Sequence, residues 1–211
     1  MEQDNPTLDR YILESSARAN PQICFLPTAC GDSEARIRQF YAAFEPRHCR
    51  PTHLSLFRDP SRRRAIIEKS DIIYVGGGNT RLMLAIWKVY GVHDLLRAAW
   101  ESGALLCGLS AGAICWFEEG VTDSDGPLGP MKCLGWLPGS CVPHYDSEVE
   151  RRPVYHQLLK SGKIRPGIAL DDGALAHYVN GRLKGIVTSR ESARAWSVSL
   201  KAGDVVEEPL S

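Results

Sequence analysis

The chain has 211 residues, enough for one sizeable core but little for two full domains, so a single domain is expected. Lys plus Arg and Asp plus Glu number 25 each and cancel to a formal net charge of zero. There is thus no bulk attraction to nucleic acid, membranes or acidic polymers, and a small ligand is the expected partner. No apolar run approaches the roughly 18 residues of a membrane span, and the N-terminus lacks the basic and apolar regions of a secretion signal, so a cytoplasmic location is expected.

In chain order, short apolar strands at Ile23 to Leu26, His53 to Phe57, Ile72 to Val75 and Leu105 to Cys107 alternate with helices near Leu8 to Ser15, Glu34 to Phe44, Ser61 to Glu68, Thr80 to Val89 and Val92 to Trp100. This is the rhythm of a parallel sheet covered by helices. Ser61 and Asn79 are placed to cap their helices. A Gly- and Pro-rich stretch from Asp125 to Pro143 reads as a long surface excursion beside the site, followed by a helix near Val149 to Leu159. Short strands close the chain at Ile168 to Leu170, Ala174 to Val179, Arg182 to Ile186, Ala195 to Ser199 and Asp204 to Val206, with turns at Asn180-Gly181 and Ala202-Gly203. Seven cysteines include no C-x-x-C pair, which favours neither a disulfide framework nor a zinc site; Cys24 and Cys107 fall in apolar strands and read as core.

Two glycine-rich turns carry the chemical signal. Gly108-Leu109-Ser110-Ala111-Gly112 follows an apolar strand and opens a helix, the arrangement of a nucleophile elbow, in which a sharp strand-to-helix turn exposes a serine hydroxyl. The helix start also turns backbone amides toward any developing negative charge. Gly76-Gly77-Gly78-Asn79-Thr80 likewise ends a strand and starts a helix. It lacks the spacing of a dinucleotide turn and the lysine of a phosphate loop, so an oxyanion fits it better than a nucleotide. An acyl-transfer site needs two donors on one oxygen, and the amides of Ala111 and of Gly77 or Gly78 would supply them. Of six histidines, His144 is the best base: it follows Pro143 at the end of the Gly/Pro-rich stretch, whereas His53, His93, His156 and His177 lie in strand or helix contexts that favour packing, and His48 lies in a polar loop. The carboxylate that would orient it could come from Asp123 and Asp125 or from Asp171 and Asp172, and periodicity does not choose.

These motifs, in this order, resemble the peptidase E family of serine peptidases, which includes alpha-aspartyl dipeptidases. The resemblance spans nearly the whole chain: Met-Glu-Gln-Asp-Asn-Pro at the start, Phe-Leu-Pro-Thr-Ala at 25 to 29, Gly-Gly-Gly-Asn-Thr at 76 to 80, Gly-Leu-Ser-Ala-Gly-Ala at 108 to 113, Pro-His-Tyr at 143 to 145 and Asp-Asp-Gly-Ala at 171 to 174. It implies an α/β fold of the class I glutamine amidotransferase type, a mostly parallel sheet flanked by helices with a short antiparallel strand series at the C-terminal end. It implies Ser110 as nucleophile, His144 as base, Gly78 and Ala111 as oxyanion donors with Gly77 beside them, and no cofactor or metal. The acid would be Asp172 or Asp125, with Asp172 favoured because it ends a strand. Family members usually begin with an apolar strand ahead of the first motif, and this chain starts at that motif; another strand or a partner copy, as in a homodimer, would then cover the sheet edge.

The expected activity is hydrolysis of short peptides, with an N-terminal aspartate, through an acyl-enzyme at Ser110. Asn79 is a candidate substrate contact. So are Arg151 and Arg152 at a helix start, where cations are disfavoured unless balanced by Glu148 and Glu150 or kept for an anion. The alternatives are an esterase of the alpha/beta-hydrolase type, which shares G-x-S-x-G, and a non-catalytic binding domain on the same scaffold.

Overall fold

The computed structural model describes residues 5–211, so Met1 to Asp4 of the first family motif lie outside the described residues. The chain forms two compact units, the first ending at Gly112 and the second running from Ala113 to Ser211. Among the described residues no helix is long and apolar enough to cross a membrane.

In the first unit the elements are α1 (Thr7–Glu14), β1 (Gln22–Leu26), α2 (Glu34–Phe44), β2 (Arg50–His53), α3 (Arg63–Ile67), β3 (Ile72–Val75), α4 (Thr80–Tyr90), α5 (Val92–Glu101) and β4 (Leu105–Gly108). The four strands form one parallel sheet in the order β2-β1-β3-β4. β3 is an unbroken apolar run, Ile-Ile-Tyr-Val, and is buried throughout, as a central strand covered on both faces must be. α2 lays Phe40 and Phe44 onto this sheet, with the Phe40 ring stacked on Phe25 at 4.9 Å. Asn79 caps α4 as the sequence suggests, its Oδ1 accepting the Leu82 N–H at 2.9 Å.

Two expectations shift here. The second strand is Arg50–His53, not His53 to Phe57: its register runs from Gln22↔Arg50 to Phe25↔His53, and Leu54 and Leu56 are buried beyond its end. Their period-2 burial imitates a strand in sequence. The helix expected from Ser61 is a 3-10 turn followed by α3, and Asp59, not Ser61, accepts at its start, from the Ser61 N–H at 3.1 Å.

A short helix, α6 (Ala111–Ile114), leads from β4. The second unit continues with β5 (Phe117–Thr122), β6 (Gly129–Lys132), β7 (Leu137–Val142), α7 (Arg151–Lys160), β8 (Gly167–Leu170), β9 (Ala174–Val179), β10 (Arg182–Thr188), β11 (Ala195–Lys201) and β12 (Asp204–Leu210). One sheet has the order β12-β11-β8-β7-β5-β6, and β9 and β10 form a separate antiparallel pair. β7 is parallel to both β5 and β8, whereas β11 and β12 are antiparallel additions. The stretch from Asp125 to Pro143 is therefore largely sheet, not a surface excursion. Its glycines misled because Gly139 (φ 77°) lies within β7, where a Cβ would sit 2.5 Å from the Pro166 carbonyl oxygen. The turns at Asn180-Gly181 and Ala202-Gly203 stand as expected, all four residues at positive φ. The core of this unit gathers Val121, Val142, Tyr145, Tyr155, Leu159, Ile164, Ala169 and Val198.

Candidate active site

In the first unit, β3 and β4 end side by side, Val75 opposite Gly108, and each runs into its glycine-rich turn at the carboxyl edge of the sheet. Parallel sheets place ligand sites at that edge. Ser110 lies at φ 52°, a left-handed conformation that costs a non-glycine residue on the order of 1 kcal/mol. The turn is possible because the residues two positions to either side, Gly108 and Gly112, lack side chains. A Cβ on Gly112 would lie 2.2 Å from the Val75 carbonyl oxygen, and one on Gly108 would lie 2.5 Å from that of Gly112. Ser110 is half-buried and Ala111 is buried.

The second glycine turn lies directly against this elbow: a Cβ on Gly77 would sit 3.1 Å from that of Ser110 and 2.8 Å from Leu109 Cδ1. Gly78 (φ 136°) passes so close to the Thr28–Cys30 turn that a Cβ would meet the Ala29 carbonyl oxygen at 2.2 Å. The flanking amides are taken, Gly76 N–H by Leu26 O at 3.1 Å and Asn79 N–H by Ala29 O at 2.8 Å. Trp87 of α4 donates to Thr28 Oγ1 at 3.2 Å, which ties the Thr28–Cys30 turn to that helix.

In the second unit the parallel neighbours β7 and β8 end together, in register at Val142↔Ala169. Their continuations carry His144 and Asp172. His144 Nδ1 and Asp172 Oδ1 are 2.7 Å apart, with both side chains partly exposed. His144 is held at φ 58°, a left-handed conformation like that of Ser110. Of the candidate acids, the structure brings Asp172 to this histidine. Asp171 instead joins the framework, its Oδ2 accepting the Arg194 N–H at 2.9 Å, and burial raises its carboxyl pKa. Asp123 and Asp125 are exposed on the turn that follows β5, where Gly126 N–H donates to Asp123 O at 3.0 Å.

The segment around this pair is anchored by side chains that sequence reasoning did not assign. Tyr145 is 3 % exposed and donates its hydroxyl to Glu207 on β12. His156 Nε2 lies 2.8 Å from the same oxygen. Burial opposes the charge on Glu207, but bonds from Tyr145, Arg152 and His156 outweigh it and hold the carboxyl below its usual range. Arg152 is that bidentate partner, with Nε to Oε1 at 3.0 Å and Nη2 to Oε2 at 2.8 Å, and its guanidinium also covers the Tyr145 ring at 4.8 Å. Arg151 is buried, donating to Glu148 Oε2 at 2.6 Å and to the Val121 carbonyl at 2.7 Å. The chain's own acceptors thus engage both arginines that the sequence offered as an anion clamp. A signal existed for Arg151, since Glu148 precedes it by three residues in the turn that leads into α7; Glu207, 55 residues beyond Arg152, left none.

The other sequence candidates fall elsewhere: Tyr41 Oη meets His53 Nδ1 at 2.9 Å in the first unit, a packing role. All seven cysteines are free thiols, and burial pushes that of Cys24 up to about 12, far from a reactive thiolate.

The first unit thus carries an elbow serine and the second a carboxylate-held histidine. Comparison with known proteins gives the family: the model of peptidase family S51 matches residues 1–186, and the chain belongs to that family and is a peptidase. It is 52% identical over 211 residues to the uncharacterized peptidase YgaJ of Bacillus subtilis strain 168, covering 100% of this chain and 92% of that one. Peptidase E of Haemophilus influenzae is 27% identical over 133 residues, 57% of this chain and 60% of its own. Among solved structures, a peptidase from an acI-B1 actinobacterium matches with a TM-score of 0.74 at 17% identity, over 98% of this chain and 93% of its own. A candidate peptidase E from Listeria monocytogenes EGD-e gives 0.59 at 18% identity, over 96% and 93%. At these identities the two structures speak for the fold alone.

Proposed function

We propose that this peptidase is of the serine type and hydrolyses short peptides bearing an N-terminal aspartate. The observation that carries the reading is Ser110 held at φ 52° in the turn from β4 to α6, with Gly77 packed against it and Gly108 and Gly112 two residues to either side. In this reading Ser110 Oγ attacks the scissile carbonyl carbon while His144 takes its proton through Nε2, and Asp172 on Nδ1 fixes the tautomer and stabilises the imidazolium. The carbonyl electrons move onto oxygen, where the amides of Ala111 and Gly78, with Gly77 adjacent, receive them. Collapse expels the amine, which takes the proton from His144 and leaves an acyl-enzyme. Water, deprotonated by the same histidine, then releases the acid and restores the serine. The aspartate preference rests on the resemblance to aspartyl dipeptidases.

A fluorophosphonate probe and an aspartyl anilide test the proposal together. The expected result is stoichiometric labelling that disappears in Ser110→Ala, and anilide hydrolysis that disappears with it. Full turnover by Ser110→Ala would overturn the assignment. Labelling accompanied by ester hydrolysis but no anilide hydrolysis would favour the esterase alternative.

A further inference from the structure

Two side chains outside the proposed triad close a ring of bonds around its acid. Asp146 lies two residues after His144, and its Oδ1 accepts the Asp172 backbone N–H at 2.8 Å. Its other oxygen, Oδ2, accepts Arg190 Nη2 at 2.9 Å. Arg190 then returns to Asp172, donating from Nε to the backbone carbonyl at 3.0 Å and from Nη2 to the same oxygen. The amide and the carbonyl of Asp172 are therefore both gripped, one by each partner, while its carboxylate faces His144. Burial opposes ionisation of Asp146, but the Asp172 N–H and the Arg190 guanidinium outweigh it and keep the carboxyl below its usual range.

The loop that delivers Arg190 is pinned at both ends. Ser189 N–H donates to Gly173 O at 2.8 Å, and the Asp171 N–H donates to Arg194 O at 2.9 Å. The chain thus fixes where the guanidinium stands, on a segment 18 residues away in sequence from Asp172. The Arg190–Asp146 pair is itself well exposed, 43% and 35% for the two side chains. Exposed pairs of this kind contribute about 0–1 kcal/mol to stability, so support of the fold is a poor account of it. Orientation is a better one: a carboxylate on a strand-end loop keeps its place opposite an imidazole only if its own backbone is held, and misplacement of a reacting constellation by about 1 Å costs on the order of 100-fold in rate.

We infer that Asp146 and Arg190 are positioning residues that lock Asp172 against His144, and that turnover depends on this brace although neither residue touches the substrate. The inference rests on the triad proposed above, and it is read by a signal that needs no turnover. The Nδ1 proton of a histidine held by a carboxylate gives a resolved low-field proton resonance when its exchange is slow. In the wild-type chain that resonance is expected, and it should vanish in Asp172→Asn, which assigns it. In Arg190→Met and in Asp146→Asn it should broaden or disappear, with melting temperatures close to the wild type, while Arg190→Lys restores part of it.

On an aspartyl anilide, each of the two disrupting variants should lower kcat by about 10- to 100-fold with KM within about 2-fold. The double variant should be no worse than the worse single one, because either change opens the same ring. An unchanged low-field resonance in both single variants, or additive kcat losses, overturns the brace. If Arg190→Met unfolds at the assay temperature, Asp146→Asn, which keeps side-chain shape, decides. The triad reading fails separately, if Ser110→Ala retains turnover, and that result leaves the resonance test of the brace standing.

Discussion

Gly112→Ala isolates the packing that makes the serine elbow. The added methyl would lie 2.2 Å from the Val75 carbonyl oxygen, 2.7 Å from its carbon and 2.8 Å from its Cβ. Two of these are backbone atoms of β3, a strand buried along its whole length and paired with β1 and β4, so the strand cannot yield cheaply. α6 must move instead. Relief to an ordinary contact above 3.4 Å needs more than 1 Å of displacement, and overpacking of this kind costs about 1–3 kcal/mol. For a unit of this size each kcal/mol lowers the melting temperature by about 4–8 °C, which gives an expected loss of about 5–20 °C. The same displacement carries Ala111 and its amide away, so turnover should fall about 100-fold or more even well below the melt. Gly185→Ala is the control, since a Cβ there meets nothing within 4 Å and Gly185 is not at positive φ; its effect should stay within about 0.5 kcal/mol. Melting followed by circular dichroism, with anilide turnover at 25 °C, reads both quantities. A Gly112→Ala chain with the wild-type melt and full turnover would refute the close-approach account of the elbow.

Asp172→Asn keeps the shape of the acid but loses its charge and should cost about 10⁴ in kcat, whereas Asp125→Asn should cost far less; the reverse ranking would move the triad acid to the turn after β5. Ser110→Ala and His144→Ala should each lower turnover by several orders of magnitude, and the double variant should be no worse, because in the proposed mechanism the two act as one unit. Additive losses would separate them. Glu207→Gln should destabilise the chain by about 2 kcal/mol near pH 7, where the carboxylate accepts from Tyr145, Arg152 and His156. The folded-state pKa of Glu207 is depressed. Its contribution is therefore present above the ordinary glutamate value of about 4.3 and lost as pH falls through the lower folded value. Melts of the two proteins should converge in acid, and a gap that persists at pH 2 would mean that the charge is not what stabilises.

What the sequence showed and what it hid divide along the range of the interactions. The serine elbow was legible because its requirements are local: a strand, a residue forced to positive φ and small neighbours within five positions. Asn79 was legible for the same reason, its partner being three residues away. β5 was missed because the adjacent Glu118 and Glu119 break its alternation, and what accommodates them is distant. Glu118 accepts the Gly139 N–H at 2.8 Å, and Glu119 accepts the Arg165 N–H at 2.8 Å from 46 residues away. The arginines divide the same way: Glu148, three residues before Arg151, was among the balancing partners the sequence offered, whereas Glu207, the partner of Arg152, lies 55 residues beyond it.

The acid of the proposed triad depends on a pairing that no local pattern encodes. Asp172 reaches His144 because β7 and β8 are parallel neighbours in the register Val142↔Ala169, which sets residues two and three beyond that rung at one sheet edge. A one-residue slip would turn every side chain of β8 to the opposite face and bring Asp171 into that place. The register is held by close approach: Gly167 lies opposite Ser140, where a Cβ would be 2.0 Å from the Ser140 carbonyl oxygen, and Asp171, with its carboxylate on the Arg194 amide, closes the strand against β11. The aspartate that serves the framework thereby determines which aspartate can serve the chemistry.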